Sequence, residues 1–130
     1  MSLNVRVITP DKVVYDASAE ELILPSSTGQ LGILTDHAPL LTALDIGVMR
    51  LKSNGSWTSI VLMEGFAEVE DNKVTILSNG AEEGSNIDSK VAQTELEKIT
   101  LLVDQATTKK EKIEATLELR KAKARLQAVA

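Results

Sequence analysis

Along the first two thirds of the chain, apolar residues alternate with polar ones; beyond Asn86 to Asp88 they recur at steps of four and three. The first beat places every second side chain on one face of a sheet, and the second places them on one face of a helix. Leu3, Val5 and Val7 alternate with Asn4 and Arg6, and Met49 and Leu51 alternate with Arg50 and Lys52, which predicts half-buried strands. Ser53-Asn54-Gly55-Ser56 separates two such runs, and an Asn-Gly pair suits a two-residue turn with positive φ at both central positions, so a hairpin is expected there. Val74 and Ile76 mark a strand after an Asp71-Asn72 turn, and Glu21 to Leu24 another that Pro25 is expected to end. Short strands at close spacing, with no helix between them, predict an antiparallel sandwich or barrel over residues 1–86.

The remainder, 87–130, predicts an antiparallel helical hairpin. Ala92, Leu96, Ile99, Val103 and Ala106 form one seam, and Ala115, Leu119, Ala122, Leu126 and Val129 form its match. Asp88 is placed to cap the first helix with its carboxylate. Thr108-Lys109-Lys110-Glu111 fits a capping box, so the second helix should begin near Lys109. On a wheel of about 100° per residue, Lys109, Lys112, Arg120 and Lys123 share one flank with no acid among them. Glu114, Glu118, Lys121 and Arg125 share the other flank, where they can pair locally. Ile113, Leu117 and Ala124 add an apolar strip opposite the seam, so this helix has two faces to cover and one neighbour in its hairpin. A solvated face is the plain reading of the basic flank; the sharper one is a helix that docks reversibly on an acidic partner.

Charge follows the same division. The chain carries a net charge of -5, yet seven of its 14 Lys and Arg residues fall between Lys109 and Arg125 beside three acids, which leaves -9 on the rest. The absence of cysteine excludes disulfides and thiolate chemistry, and one histidine, His37, cannot build a multi-histidine metal cluster. Tyr15, Trp57 and Phe66 are the only aromatic residues; with the overall acidity this argues against nucleic acid as a partner. No apolar run approaches the roughly 20 residues of a membrane-spanning helix, so direct membrane insertion is not expected. Neither a phosphate loop nor a nucleophile elbow occurs, and the acidic pairs Glu20-Glu21 and Glu82-Glu83 read as solvated surface. Catalysis by this chain alone is not expected.

The most specific stretch runs Pro25-Ser26-Ser27-Thr28-Gly29-Gln30-Leu31-Gly32-Ile33-Leu34, then Asp36-His37-Ala38-Pro39-Leu40 and Gly47-Val48-Met49-Arg50. It resembles the epsilon subunit of the F-type proton-translocating ATP synthase, of the cyanobacterial or plastid kind. Thr9-Pro10-Asp11, Gly65-Phe66-Ala67-Glu68-Val69, Val74-Thr75-Ile76-Leu77 and the helical tail fit as well. The resemblance implies an α+β fold, a sandwich of about ten short strands followed by the two helices. It implies a non-catalytic rotor subunit, peripheral on the thylakoid membrane, seated between the gamma subunit and the ring of c subunits, with no cofactor. The loop from Gly29 to His37 is similar to the family's rotor contact, which makes Gln30, Leu31, Gly32, Asp36 and His37 the contact candidates. The family's helices can leave the sandwich and extend along the stalk, where basic residues meet the beta and alpha subunits and block ATP hydrolysis. Lys109, Lys112, Arg120, Lys123 and Arg125 would be those cations here.

Two departures stand out. Several bacterial relatives bind ATP through Ile-Asp-x-x-Arg-Ala, but this chain reads Ile87-Asp88-Ser89-Lys90-Val91-Ala92, with valine in place of the arginine, so the motif is degenerate. Glu64 stands where relatives commonly have glycine ahead of Gly65-Phe66. A competing reading from another class is a free-standing sandwich that binds a small ligand, with the helices as its lid.

Overall fold

The computed structural model describes residues 2–129. Eight strands come first: β1 (Leu3–Ile8), β2 (Val13–Ala19), β3 (Glu21–Ser26), β4 (Gly29–Leu34), β5 (Leu40–Ser53), β6 (Ser56–Glu70), β7 (Lys73–Ser78) and β8 (Ala81–Glu83). A 3₁₀ turn, Gly84–Asn86, leads into α1 (Ser89–Gln105) and α2 (Lys109–Ala128). The strands are hydrogen-bonded in the order β2-β1-β7-β6-β5-β3-β4, with β8 added beside β6.

Two long strands make this one sheet into two layers. β5 and β6, of 14 and 15 residues, pair antiparallel along their lengths on both sides of Asp45 and Glu64. Past that point each changes its outer neighbour. Residues 65–70 of β6 pair with β7, whereas 60–62 pair with β8, and the later half of β5 pairs with β3. The sheet folds over there, and Glu64 (φ 64°) and Gly65 (φ 147°) supply the turn in the backbone. A Cβ on Gly65 would lie 1.9 Å from the carbonyl oxygen of Leu77, so no other residue fits. Counting the halves of β5 and β6 separately accounts for the ten short strands expected, where eight continuous ones are observed.

Side chains from both layers meet in one core that includes Leu3, Val5, Val7, Leu22, Leu24, Ile33, Met49, Leu51, Leu62, Val74 and Ile76. Alternation places them there, as the sequence pattern requires. Three details differ from expectation. β1 lies between β2 and β7 and pairs with β7 in parallel, so the sandwich is not wholly antiparallel. Pro25 does not end β3; it continues the strand where pairing with β5 slips between Ile23 and Ser26, a place that needs no proline N–H. Gly47 makes room for its ring, since a Cβ there would sit 2.7 Å from Pro25 Cβ. Third, Gly29 to Leu34, expected as a loop, forms strand β4.

The Asn54-Gly55 hairpin forms as the sequence predicts, with φ of 53° and 78°. Both helix caps form too. Asp88 accepts hydrogen bonds from the amides of Lys90 and Val91. Thr108 accepts from the Glu111 amide at 3.1 Å, while the Glu111 carboxylate reaches back to the amide of Thr107 at 3.2 Å, one residue beyond the usual box. Within β6, Ile60 and Leu62 face the sandwich interior and Val61 faces the helices. Val61 meets Ile87, Ala92 and Ala124, with Ile46, Val48 and Met63 around them. The hairpin therefore rests on the outer side of β5 and β6 by the start of α1 and the second half of α2.

Candidate functional site

The rotor-contact candidates do not form one loop. Gly29 to Leu34 is strand β4, paired with β3 at the edge of its layer, and only Thr35 to Pro39 is a turn. At about 3.3 Å per residue, Gln30 lies roughly 13 Å along the strand from Leu34, where the turn that carries Asp36 begins. Gln30 and Gly32 are exposed, whereas Leu31 packs against the sandwich core and keeps little surface for a partner. The Thr35 to Pro39 stretch is firmly held. Asp36 takes a left-handed conformation (φ 63°), its amide donates to Asn72 Oδ1 at 2.6 Å, and Asn72 Nδ2 donates to Asp36 Oδ1 at 3.2 Å. This fastens the turn to the Asp71-Asn72 turn, so Asp36 works as a brace although it stays exposed, while the neighbouring His37 is half-buried. The His37 amide donates to the Leu34 carbonyl, and ring Nδ1 donates to the Ala38 carbonyl at 2.7 Å, which leaves Nε2 for another contact.

The basic candidates divide into two groups. Arg120 donates to Asp45 of β5 at 2.6 Å. Arg125 donates through Nε and Nη2 to Glu82 at 3.1 and 3.3 Å and through Nη1 to Glu95 of α1. The wheel placed an acid-free flank around Arg120 and a local partner beside Arg125. Both pairings instead cross between elements, because the sandwich and α1 supply carboxylates that a single-helix projection omits. The local pair that does form is Lys121 with Glu118, at 3.4 Å. Lys109, Lys112 and Lys123 form no ion pair among the described residues.

Arg120 marks where α2 meets the bend of the sheet, and Lys109 lies 11 residues earlier. At about 1.5 Å per residue the tip of the hairpin projects roughly 16 Å beyond that contact. Lys109, Lys112, Ile113, Thr116, Leu117 and Arg120 line an open groove of about 580 Å³ on this projecting part. Ile113 there is 61% exposed. A basic rim over an apolar floor suits an amphipathic acidic segment. The strip predicted opposite the seam is thus split: Ala124 is buried on the sheet while Ile113 and Leu117 stay open.

One surface escaped the sequence reading. Register aligns Ala43, Phe66, Leu77, Ile8 and Val13 side by side across β5, β6, β7, β1 and β2, on the outer side of their layer. Phe66 is 57% exposed and Leu77 53%. The signal was apolar residues on the beat that is otherwise polar, but only the strand order shows that they form a row.

The residues that match the nucleotide motif have other work. Asp88 caps α1, and Ile87 and Ala92 are buried between helices and sheet. That interface, which a ligand-binding lid would have to open, is filled by these side chains with Val61 and Ala124. Tyr15, packed against the core, has its phenol pKa raised by burial and, secondarily, by the Glu83 carboxylate. Among the described residues no cluster of metal-ligating groups forms, and no helix is long and apolar enough to cross a membrane.

Comparison with known proteins agrees with this geometry. Residues 2–84 match the family model described as ATP synthase, Delta/Epsilon chain, beta-sandwich domain. The chain is 83% identical over 130 residues to the ATP synthase epsilon chain, chloroplastic, of Emiliania huxleyi, covering 100% of each. To the ATP synthase epsilon chain of Prochloron didemni it is 55% identical over 131 residues, covering 98% of this chain and 96% of the other. In fold it is similar to a chain of the Euglena gracilis mitochondrial ATP synthase, solved as OSCP/F1/c-ring, with a TM-score of 0.86 at 19% identity over 99% of this chain and 82% of that one. It is also similar to one from the central stalk/c-ring of the Tetrahymena thermophila mitochondrial ATP synthase, with a TM-score of 0.64 at 16% identity over 100% and 98%.

Proposed function

The chain belongs to the ATP synthase epsilon chain family, of the chloroplast and cyanobacterial type, and from that premise we propose that its sandwich grips the rotor while its hairpin brakes ATP hydrolysis. It is a non-catalytic, central-stalk subunit of the F-type ATP synthase. The sandwich, residues 1–86, binds the gamma subunit and the c-subunit ring; the hairpin, residues 87–130, is a regulatory unit that reaches the beta and alpha subunits. The assembly is peripheral on the thylakoid membrane.

The observation that carries this reading is the uneven seating of the hairpin. Its base rests on β5 and β6 through a small apolar cluster around Val61, Ile87, Ala92 and Ala124, and its tip projects with Lys109 and Lys112 unpaired among the described residues over exposed Ile113. Torque needs a rigid body, which a sealed two-layer core provides. A brake needs an element that leaves without unfolding that body, and the sandwich core contains no helix residue. His37, in its braced turn, and exposed Gln30 and Gly32 are the rotor contacts retained from the sequence; the row through Phe66 and Leu77 adds an apolar face for the shaft.

The test is a chain ending at Asn86, assembled into the ATP synthase in place of the full one. Proton-driven synthesis should persist while hydrolysis is released. Failure of the stub to bind the gamma subunit would overturn the division between body and arm.

A further inference from the structure

The geometry points to a carboxylate latch: Asp45, Glu82 and Glu95 hold the two arginines of the brake, so the hairpin can engage a partner only by surrendering contacts within its own chain. The inference rests on the brake reading above and assigns its regulation to three acids. Arg125 is the hub. Its guanidinium makes a two-pronged contact with Glu82 of β8 and a further one with Glu95 of α1, joining sandwich, first helix and second helix through one side chain. At 24% exposure, Arg125 is the least solvated cation among the ion pairs of the described residues, so its attraction is screened less than that of an open surface pair. Arg120 and Asp45 form the second point, at the bend of the sheet, with both side chains near half exposure. The latch is therefore strong at the base of the hairpin and weaker toward its tip.

Four of the five cations of the brake consequently act in sequence. Lys109 and Lys112 sit on the projecting tip and are free to meet an acidic surface while the hairpin is still seated. Arg120 follows when Asp45 is exchanged for a carboxylate of the partner, and Arg125 last, when Glu82 and Glu95 let go. The partner replaces one set of carboxylates by another, so the balance depends on differential affinity between two acidic surfaces. Opposite ends of one ion pair then have opposite effects. Removing the arginine removes both latch and brake contact, whereas removing the acid removes the latch alone and strengthens the brake.

The experiment measures inhibition of ATP hydrolysis by the full chain added to the synthase lacking this subunit. With E82Q/E95Q, the concentration for half-inhibition should fall about three- to tenfold, the range for loss of a partly exposed ion-pair cluster. D45N should lower it by a smaller factor, and R125Q should raise it or leave it where it is. An unchanged or raised value for E82Q/E95Q overturns the latch. Amide hydrogen exchange on the same isolated chains should quicken in α2 with β1 and β7 unchanged. If E82Q/E95Q also loses protection in β1 and β7, D45N alone carries the test with the same two outcomes. The stub ending at Asn86 separates the readings: a stub that inhibits like the full chain ends the brake reading itself, whereas an inactive stub beside an E82Q/E95Q chain indistinguishable from the parent ends only the latch.

Discussion

Leu3, Leu22, Leu24 and Ile76 are sealed between the two layers of the sandwich, while in the helices the buried residues are the small Ala92, Ala122 and Ala124 and the larger Leu96, Ile99 and Leu119 stay half-exposed. Burying a leucine contributes about 2–3 kcal/mol and each methylene about 0.8. The body is thus held by a large aliphatic core, and the base of the arm by a smaller apolar cluster around Val61 and Ile87 together with arginine–carboxylate contacts. Hydrophobic burial is non-directional and has no nearby substitute, so the body stays shut. Ion pairs can be exchanged for others of like geometry, which is what the latch proposed for the arm requires. A subunit that must transmit rotation and also respond to its surroundings has good reason to place these two kinds of cohesion in separate parts.

The contrast can be broken most directly in the core. Leu62→Ala should cost about 2–5 kcal/mol in urea unfolding, whereas Leu119→Ala in the half-exposed seam should cost less than half as much. Equal losses would show the hairpin seam to be packed as tightly as the sandwich core. Next in size, Thr108→Ala removes the cap of α2 and should cost about 1 kcal/mol, read as faster amide exchange at the hairpin tip with no change in the melting of the sandwich. A shift of the sandwich transition by the same amount would contradict the separation.

Smaller still is Glu64→Gly. Glu64 holds a left-handed backbone that glycine adopts without cost, so the variant should gain up to about 1 kcal/mol in the sandwich transition and leave α2 exchange unchanged. The smallest effect belongs to Tyr15. Its phenol pKa is raised in the folded chain, so above the ordinary value of 10.0 the unfolded state ionises first; stability complete below that pH should decline as pH rises past it. Tyr15→Phe should flatten that decline, and a parent chain with no alkaline loss would remove the assignment.

Local features were legible because their causes are local. A cap needs Asp88 or Thr108 within three residues of the amide it satisfies, and the Asn54-Gly55 turn needs only its own backbone freedom. The seam of the hairpin was legible for a similar reason, since both helices carry the same spacing. The candidate site fared unevenly. His37 is half-buried, Asp36 is spent on bracing the turn, Leu31 faces inward, and Gly29 to Leu34 is a strand because pairing with β3 organises what glycine-rich sequence left ambiguous. Glu82 read as solvated surface in sequence and is a partner of Arg125, 43 residues away.

By itself, then, the chain determined where the period of two gives way to a helical one, which faces are apolar, where helices start, and that the cations gather on α2, since side-chain direction and capping depend on neighbours a few residues off. Tertiary structure alone decided that β5 and β6 fold over at Glu64 and Gly65, that β1 runs parallel to β7, that Phe66 and Leu77 line up in the open, and which acids receive Arg120 and Arg125. Those outcomes depend on which distant segments come to lie side by side, a choice made by burial of the whole core and carried by no single period.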